Sequence, residues 1–228
     1  PAVPTRAKTP VLLVVGNPAL NELTVERIRA LLPAERASDA FDWRKEMDAV
    51  SSAYGEGQRV VYTGADASEE RLKQEAGKFR VLHLASRMIL NEAAPLYSAV
   101  ALAAATDGGE DGMLDLREVI GLDLKPGAPR LIVLSATEPA LPQAGASRSL
   151  TGLAWALYIA GCPAALIKQW RTEPSAAADL MPAFHRALNT SGKIAKSWQA
   201  AVKQAMSREE HRHPYFWAGY QLLGDARR

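Results

Sequence analysis

Residues 131–134 read Leu-Ile-Val-Leu, and a strand of that composition has no polar face to turn toward water. Such a strand must be covered on both sides, which is the condition of a central strand in a parallel sheet flanked by helices. Similar short apolar runs occur at Val11–Val15, Val60–Tyr62, Val81–Ala85 and Ala164–Ile167. The segments between them keep helical spacing. Trp43, Met47, Val50 and Tyr54 share one face, as do Leu150, Leu153, Ala154 and Leu157. Leu180, Met181, Phe184 and Leu188 mark another helix, with Pro174 suited to its first turn, and Ile194, Trp198, Ala201 and Ala205 mark one more. Helical material from Glu22 to Tyr54 is broken near Pro33, and the Ala-rich stretch Ser98–Ala105 also reads as a helix. Asp66 with Glu69, and Asp115 with Glu118, have capping-box spacing. Tyr220–Leu223, after the aromatic stretch 214–217, reads as an edge strand. Strands alternating with helices, without an internal repeat, predict one α/β domain over residues 1–228 with a mainly parallel sheet.

Composition removes several function classes. Lys and Arg number 27 against 25 Asp and Glu, and they are dispersed, which argues against nucleic acid as a partner. Cys162 is the single cysteine, so no internal disulfide forms and a reducing, cytoplasmic setting is expected. Residues 149–167 are mostly apolar, but Gly152, Gly161 and Pro163 divide them into a helix and a strand, so no membrane span is predicted. The run Val11–Val15 is too short for the core of a signal peptide. A chain starting at Pro1 is expected to be excised from a longer protein.

In open parallel sheets, ligands and catalytic groups collect at the carboxyl edge. The strand 131–134 runs into Ser135-Ala136-Thr137-Glu138, which puts Thr137 where an α/β enzyme places a nucleophile. Other stretches add to this one. His83-Leu84-Ala85-Ser86-Arg87-Met88, Pro95–Leu102, Asp111–Leu114, Leu134–Pro139, Ala160–Pro163 with Gln169-Trp170, and His213–Ala218 follow one another in a specific order and spacing. Together they resemble the CHAT domain, a caspase-fold cysteine-peptidase domain usually found behind tetratricopeptide or similar repeats. The resemblance implies a caspase-like three-layer α/β sandwich with a mainly parallel central sheet. It also implies a protein partner or an upstream repeat domain. In that family a histidine after one strand takes a proton and a cysteine after the next attacks a peptide carbonyl. Here Arg87 stands at the histidine's place and Thr137 at the cysteine's. The separation, 137 − 87 = 50, matches the roughly 50 residues of caspase-type enzymes.

The substitutions remove the chemistry. A thiol ionises near pKa ~8.5, whereas a threonine hydroxyl needs an adjacent base to become nucleophilic. Arg87 cannot be that base, because a guanidinium stays protonated in proteins. Losing either member of a related catalytic pair costs on the order of a millionfold in turnover. The expectation is a pseudo-peptidase acting as an interaction or regulatory module. Two alternatives stand beside it: an active peptidase with a non-family nucleophile, and an anion or ligand sensor in which Arg87 holds a carboxylate with Thr137 as hydroxyl partner.

No other residue is expected to restore catalysis. His83 lies within its strand and reads as a hydrogen-bonded core histidine, and Cys162 as a buried, inert thiol. Ser135 is expected along the strand rather than at its exit, and the resemblance makes the pair His213-Pro214 a structural feature of the family, with His211 beside it near the C-terminus. Asp107, Asp111, Gly112, Asp115 and Glu118 fall at EF-hand positions 1, 5, 6, 9 and 12, but position 3 is Gly109. The turn and the Asp115–Glu118 cap already explain these residues, so neither a metal nor a cofactor is expected.

Overall fold

A computed structural model describes residues 11–31, 43–91, 93–105, 109–122, 124, 129–135, 148–170, 172 and 174–226. The first half of the chain forms β1 (Leu12–Pro18), α1 (Glu22–Leu31), α2 (Arg44–Ser51), β2 (Arg59–Gly64), α3 (Glu69–Glu75), β3 (Val81–Ala85), β4 (Met88–Ile89) and β5 (Ala99–Ala101). The second half forms β6 (Met113–Asp115), α4 (Leu116–Gly121), β7 (Leu131–Leu134), α5 (Arg148–Ala160), β8 (Ala164–Lys168), α6 (Pro174–Ser191), α7 (Ile194–Met206) and β9 (Tyr220–Gly224).

The apolar runs pair into one six-stranded sheet of order β2-β1-β3-β7-β8-β9. Its first five strands are parallel, and β9 closes one edge antiparallel to β8. Alternation along the strands sends side chains to two cores. Leu13, Val15, Leu82, Leu84, Ile132 and Leu134 pack with Leu72 of α3, Leu116 of α4 and Leu153 of α5. Leu12, Val14, Val81, Leu131, Val133 and Leu166 pack with Met47 and Val50 of α2, Met181 and Phe184 of α6, and Ala201 of α7. Helices on both faces of a mainly parallel sheet make the architecture a caspase-like sandwich. Among the described residues, no helix is long and apolar enough to cross a membrane.

Two local expectations are corrected. Residues 98–105 are not helical: Ala99–Ala101 is β5, the centre of a small antiparallel sheet of order β4-β5-β6. Ala101 packs with Ile28 of α1 and Ile89, whereas Val100 and Leu102 join the main core. Burial with a period of two outweighs alanine's helix propensity here. The second correction concerns α3. Its cap is Ser68, whose Oγ accepts from the Arg71 N–H at 3.2 Å, and not Asp66. Glu69 instead turns inward, fully buried, and accepts from the Gly112 N–H at 2.9 Å. The cap on α4 forms as expected: Asp115 Oδ1 accepts from the N–H groups of Arg117 and Glu118, and Glu118 Oε2 accepts from the Asp115 N–H at 2.9 Å.

Candidate functional site

The ladder between β3 and β7 carries the geometry of the carboxyl edge. It pairs Val81 with Leu131, Leu82 with Ile132, His83 with Val133 and Leu84 with Leu134. Each pair is separated by 50 residues (131 − 81 = 50), the offset that also separates positions 87 and 137. The exits of β3 and β7 therefore leave the sheet side by side, with the Ser135 N–H on the Leu84 carbonyl. Gly16 of β1 sits opposite Ala85 at the same edge, and a Cβ on Gly16 would lie 2.3 Å from the Ala85 carbonyl oxygen.

Arg87 stands in the tight connection from β3 to β4 and is only 7% exposed. Its carbonyl accepts from the Ala101 N–H at 2.8 Å, and the Ser86 hydroxyl donates to the Ala101 carbonyl. Arg87 is thus anchored to β5 by its own backbone and by its neighbour's side chain. Thr137 and Glu138 lie outside the described residues.

Ser135 is the first residue beyond β7, at the strand's exit rather than along it, because β7 ends at Leu134. Its N–H donates to the Leu84 carbonyl at 3.0 Å, and its Oγ lies 3.3 Å from the Tyr220 hydroxyl. The β7–β8 register, which pairs Leu134 with Ile167, brings Ser135 alongside Lys168. Lys168 is almost fully buried, and its Nζ lies 5.6 Å from the centroid of the Tyr220 ring. Burial, followed by the nearby Glu46 carboxylate, pushes the Tyr220 phenol far above its ordinary range, so it stays a neutral hydroxyl.

His83 is fully buried, hydrogen-bonded in the core and aimed at the α2/α6 layer. Its Nδ1 lies 3.1 Å from His185 Nε2, and its Nε2 lies 3.2 Å from Glu46 Oε1. His185 Nδ1 in turn lies 3.2 Å from the Tyr54 hydroxyl. Burial, followed by the neighbouring His83, holds His185 well below its ordinary pKa, so the imidazole is neutral. Burial likewise raises the Tyr54 phenol well above its usual range. None of Glu46, Tyr54, Lys168, His185 or Tyr220 is singled out by motif reading. A signal was nonetheless present for two of them. Glu46 falls on the apolar stripe of Trp43, Met47 and Val50, and His185 on that of Met181, Phe184 and Leu188. A polar residue inside such a stripe is buried with the stripe and needs partners.

The remaining candidates are structural. Cys162 is buried in the connection before β8 with its Sγ directed at the Ala164 carbonyl, 3.2 Å away, and burial pushes its thiol up to about 12. A thiol held that high supplies no thiolate near neutral pH. His211 is buried against Asp179, with Nδ1 3.3 Å from Oδ2. His213 Nδ1 accepts from the Tyr215 N–H at 3.2 Å, capping the short turn Pro214–Phe216.

Among the described residues of the 107–118 loop, the acidic side chains take separate partners. Asp111 pairs with Arg27, Asp115 caps α4 and pairs with Arg117, and Asp107 lies outside the described residues. Glu118 joins Glu69 and Glu110 instead, and these three carboxylates surround Lys73 Nζ at 2.9, 2.7 and 2.7 Å. The lysine ammonium supplies the cation that such a cluster needs. Glu69 is nonetheless pushed up to about 7, mainly by burial and then by its carboxylate neighbours, against the lowering effect of Lys73.

A family model described as the CHAT domain matches residues 1–225 of the chain. No curated protein matches it.

Proposed function

The chain belongs to the CHAT domain family, which is related to caspase-like peptidases, and from that premise we propose that this member is catalytically inactive and serves as an interaction or regulatory module. The observation that carries this reading is the pair of residues at the two positions where the family resemblance expects its histidine and cysteine. Positions 87 and 137 keep the offset of the β3–β7 ladder but hold arginine and threonine. A permanently protonated guanidinium accepts no proton, and without a base the hydroxyl has no route to an alkoxide. Neither buried alternative supplies a reachable nucleophile: Ser135 is hydrogen-bonded under Tyr220, and the Cys162 thiol stays protonated.

An interaction role has support on the outer surface. Trp155 and Tyr158 of α5 are 55% and 67% exposed, and Leu96 and Tyr97 are exposed on the short turn that packs against the same helix. Exposed aromatic side chains are enriched where proteins meet. The partner proposed is a protein or an upstream repeat domain.

The test is cleavage of a fluorogenic peptide library together with labelling by an electrophilic cysteine-peptidase probe. The natural chain is expected to give no turnover and no adduct. The double variant Arg87→His/Thr137→Cys, which returns both chemical groups, is expected to gain probe labelling at position 137. Turnover by the natural chain that disappears in Thr137→Ala, with the thermal midpoint unchanged, would overturn the proposal.

A further inference from the structure

The opposite end of the sheet carries a second feature. A cavity of about 160 Å³ opens at the amino edge, between the starts of β1, β3 and β7 and the turn that joins α6 to α7. Arg80 and Arg130 line it, each one residue before its strand. Because Val81 pairs with Leu131, the arginines are neighbours, and the Arg130 N–H donates to the Arg80 carbonyl at 2.7 Å. Asn189 lies beside them, and the Tyr54 ring, Leu131 and Leu188 give the cavity an apolar wall. Among the described residues, no carboxylate lines it.

Four arginines elsewhere, Arg27, Arg71, Arg117 and Arg208, are each paired with an aspartate. Among the described residues, neither Arg80 nor Arg130 has an acidic partner. Two neighbouring cations repel, and a carboxylate received by both would relieve that repulsion through the bidentate geometry that guanidinium groups favour. The apolar wall asks for an apolar body on the same molecule. The volume is close to the roughly 150 Å³ of an apolar cavity known to admit benzene.

We propose that this cavity binds a small organic acid, a carboxylate attached to an aromatic or branched apolar body. A free acid and the C-terminus of a peptide ending in an apolar residue share this chemistry. The site lies at the end of the sheet opposite Arg87, so it is separate from the family's catalytic edge.

Isothermal titration of the full chain with benzoate tests it, with benzyl alcohol as the neutral counterpart. Benzoate is expected to saturate one site, and benzyl alcohol to bind at least tenfold more weakly. Arg80→Gln/Arg130→Gln is expected to weaken benzoate at least tenfold, and Arg80→Lys/Arg130→Lys to retain part of the affinity. The single charge reversal Arg80→Glu gives the same loss and serves if the double variant melts early. Titration with Gly-Gly-Phe as free acid and as amide identifies the source. A free-acid peptide that binds more tightly than benzoate assigns the site to peptide termini, and one that binds more weakly assigns it to free acids. The proposal is overturned if benzoate shows no saturable binding, if the Arg80/Arg130 variants bind it unchanged, or if binding is lost in Arg87→Gln instead.

Discussion

Glu69 carries a carboxylate into the core, where Lys73 and the Gly112 amide receive it. Its pKa is raised from 4.5 to about 7, so the folded protein holds a proton that the unfolded chain has released across that interval. The folded state therefore binds more protons than the unfolded state, and this group's contribution falls as pH rises from about 4.5 to about 7, then levels off. Glu69→Gln keeps an acceptor for Gly112 and removes the titration. Subtracting the variant's stability from that of the natural chain, by urea unfolding at half-unit steps, should expose that downward slope. A flat difference would contradict the assignment. A second residue decides packing at the carboxyl edge of the sheet. Gly16 lies so close to Ala85 that an added methyl must push β1 from β3, and Gly16→Ala should cost about 1–3 kcal/mol. An unchanged thermal midpoint in Gly16→Ala would show that the edge gives way freely.

Helices α2 and α6 form their interface around a polar seam, Glu46–His83–His185–Tyr54, inside an otherwise apolar stripe. His185 is held neutral well below the ordinary 6.5, so the unfolded chain takes up a proton that the folded one refuses. Its contribution is complete above pH ~6.5 and is lost as pH falls below that value, by up to about 1.4 kcal/mol per pH unit. Urea midpoints for the natural chain should fall more steeply between pH 6.5 and 5 than those of His185→Gln. Parallel curves would place the titration elsewhere. The stripes of α2, α6 and α7 were legible because each repeats its apolar positions at helical three- and four-residue spacing. β5 was not, because three alanine-rich residues carry no period of their own and only Ile28, Ile89 and the main core impose one.

For the molecule as a whole, the sheet has two ends with opposite meanings. The carboxyl edge bears Arg87 on the connection that leaves β3, and the amino edge bears a cavity lined by two arginines. The cavity was invisible in the sequence, where Arg80 and Arg130 are 50 residues apart and look like ordinary strand-flanking charges. Only the β3–β7 register makes them neighbours. At the carboxyl edge the same register carries the 50-residue offset as far as Leu84 and Leu134, so the exits of β3 and β7 are neighbours.

The linear pattern of apolar runs and helical stripes was enough to require a mainly parallel sheet covered on both faces, since local periodicity and burial follow from residue order. The motif order was enough to place the chain in its family. Tertiary structure alone decided the partners of buried polar groups: Lys73 at the centre of three carboxylates, His83 between Glu46 and His185, and Ser135 under Tyr220. The reason is the range of the forces involved. Burial and backbone propensity act on a residue where it stands, whereas a buried charge or hydroxyl is settled by whichever distant group the packed fold brings within about 3 Å.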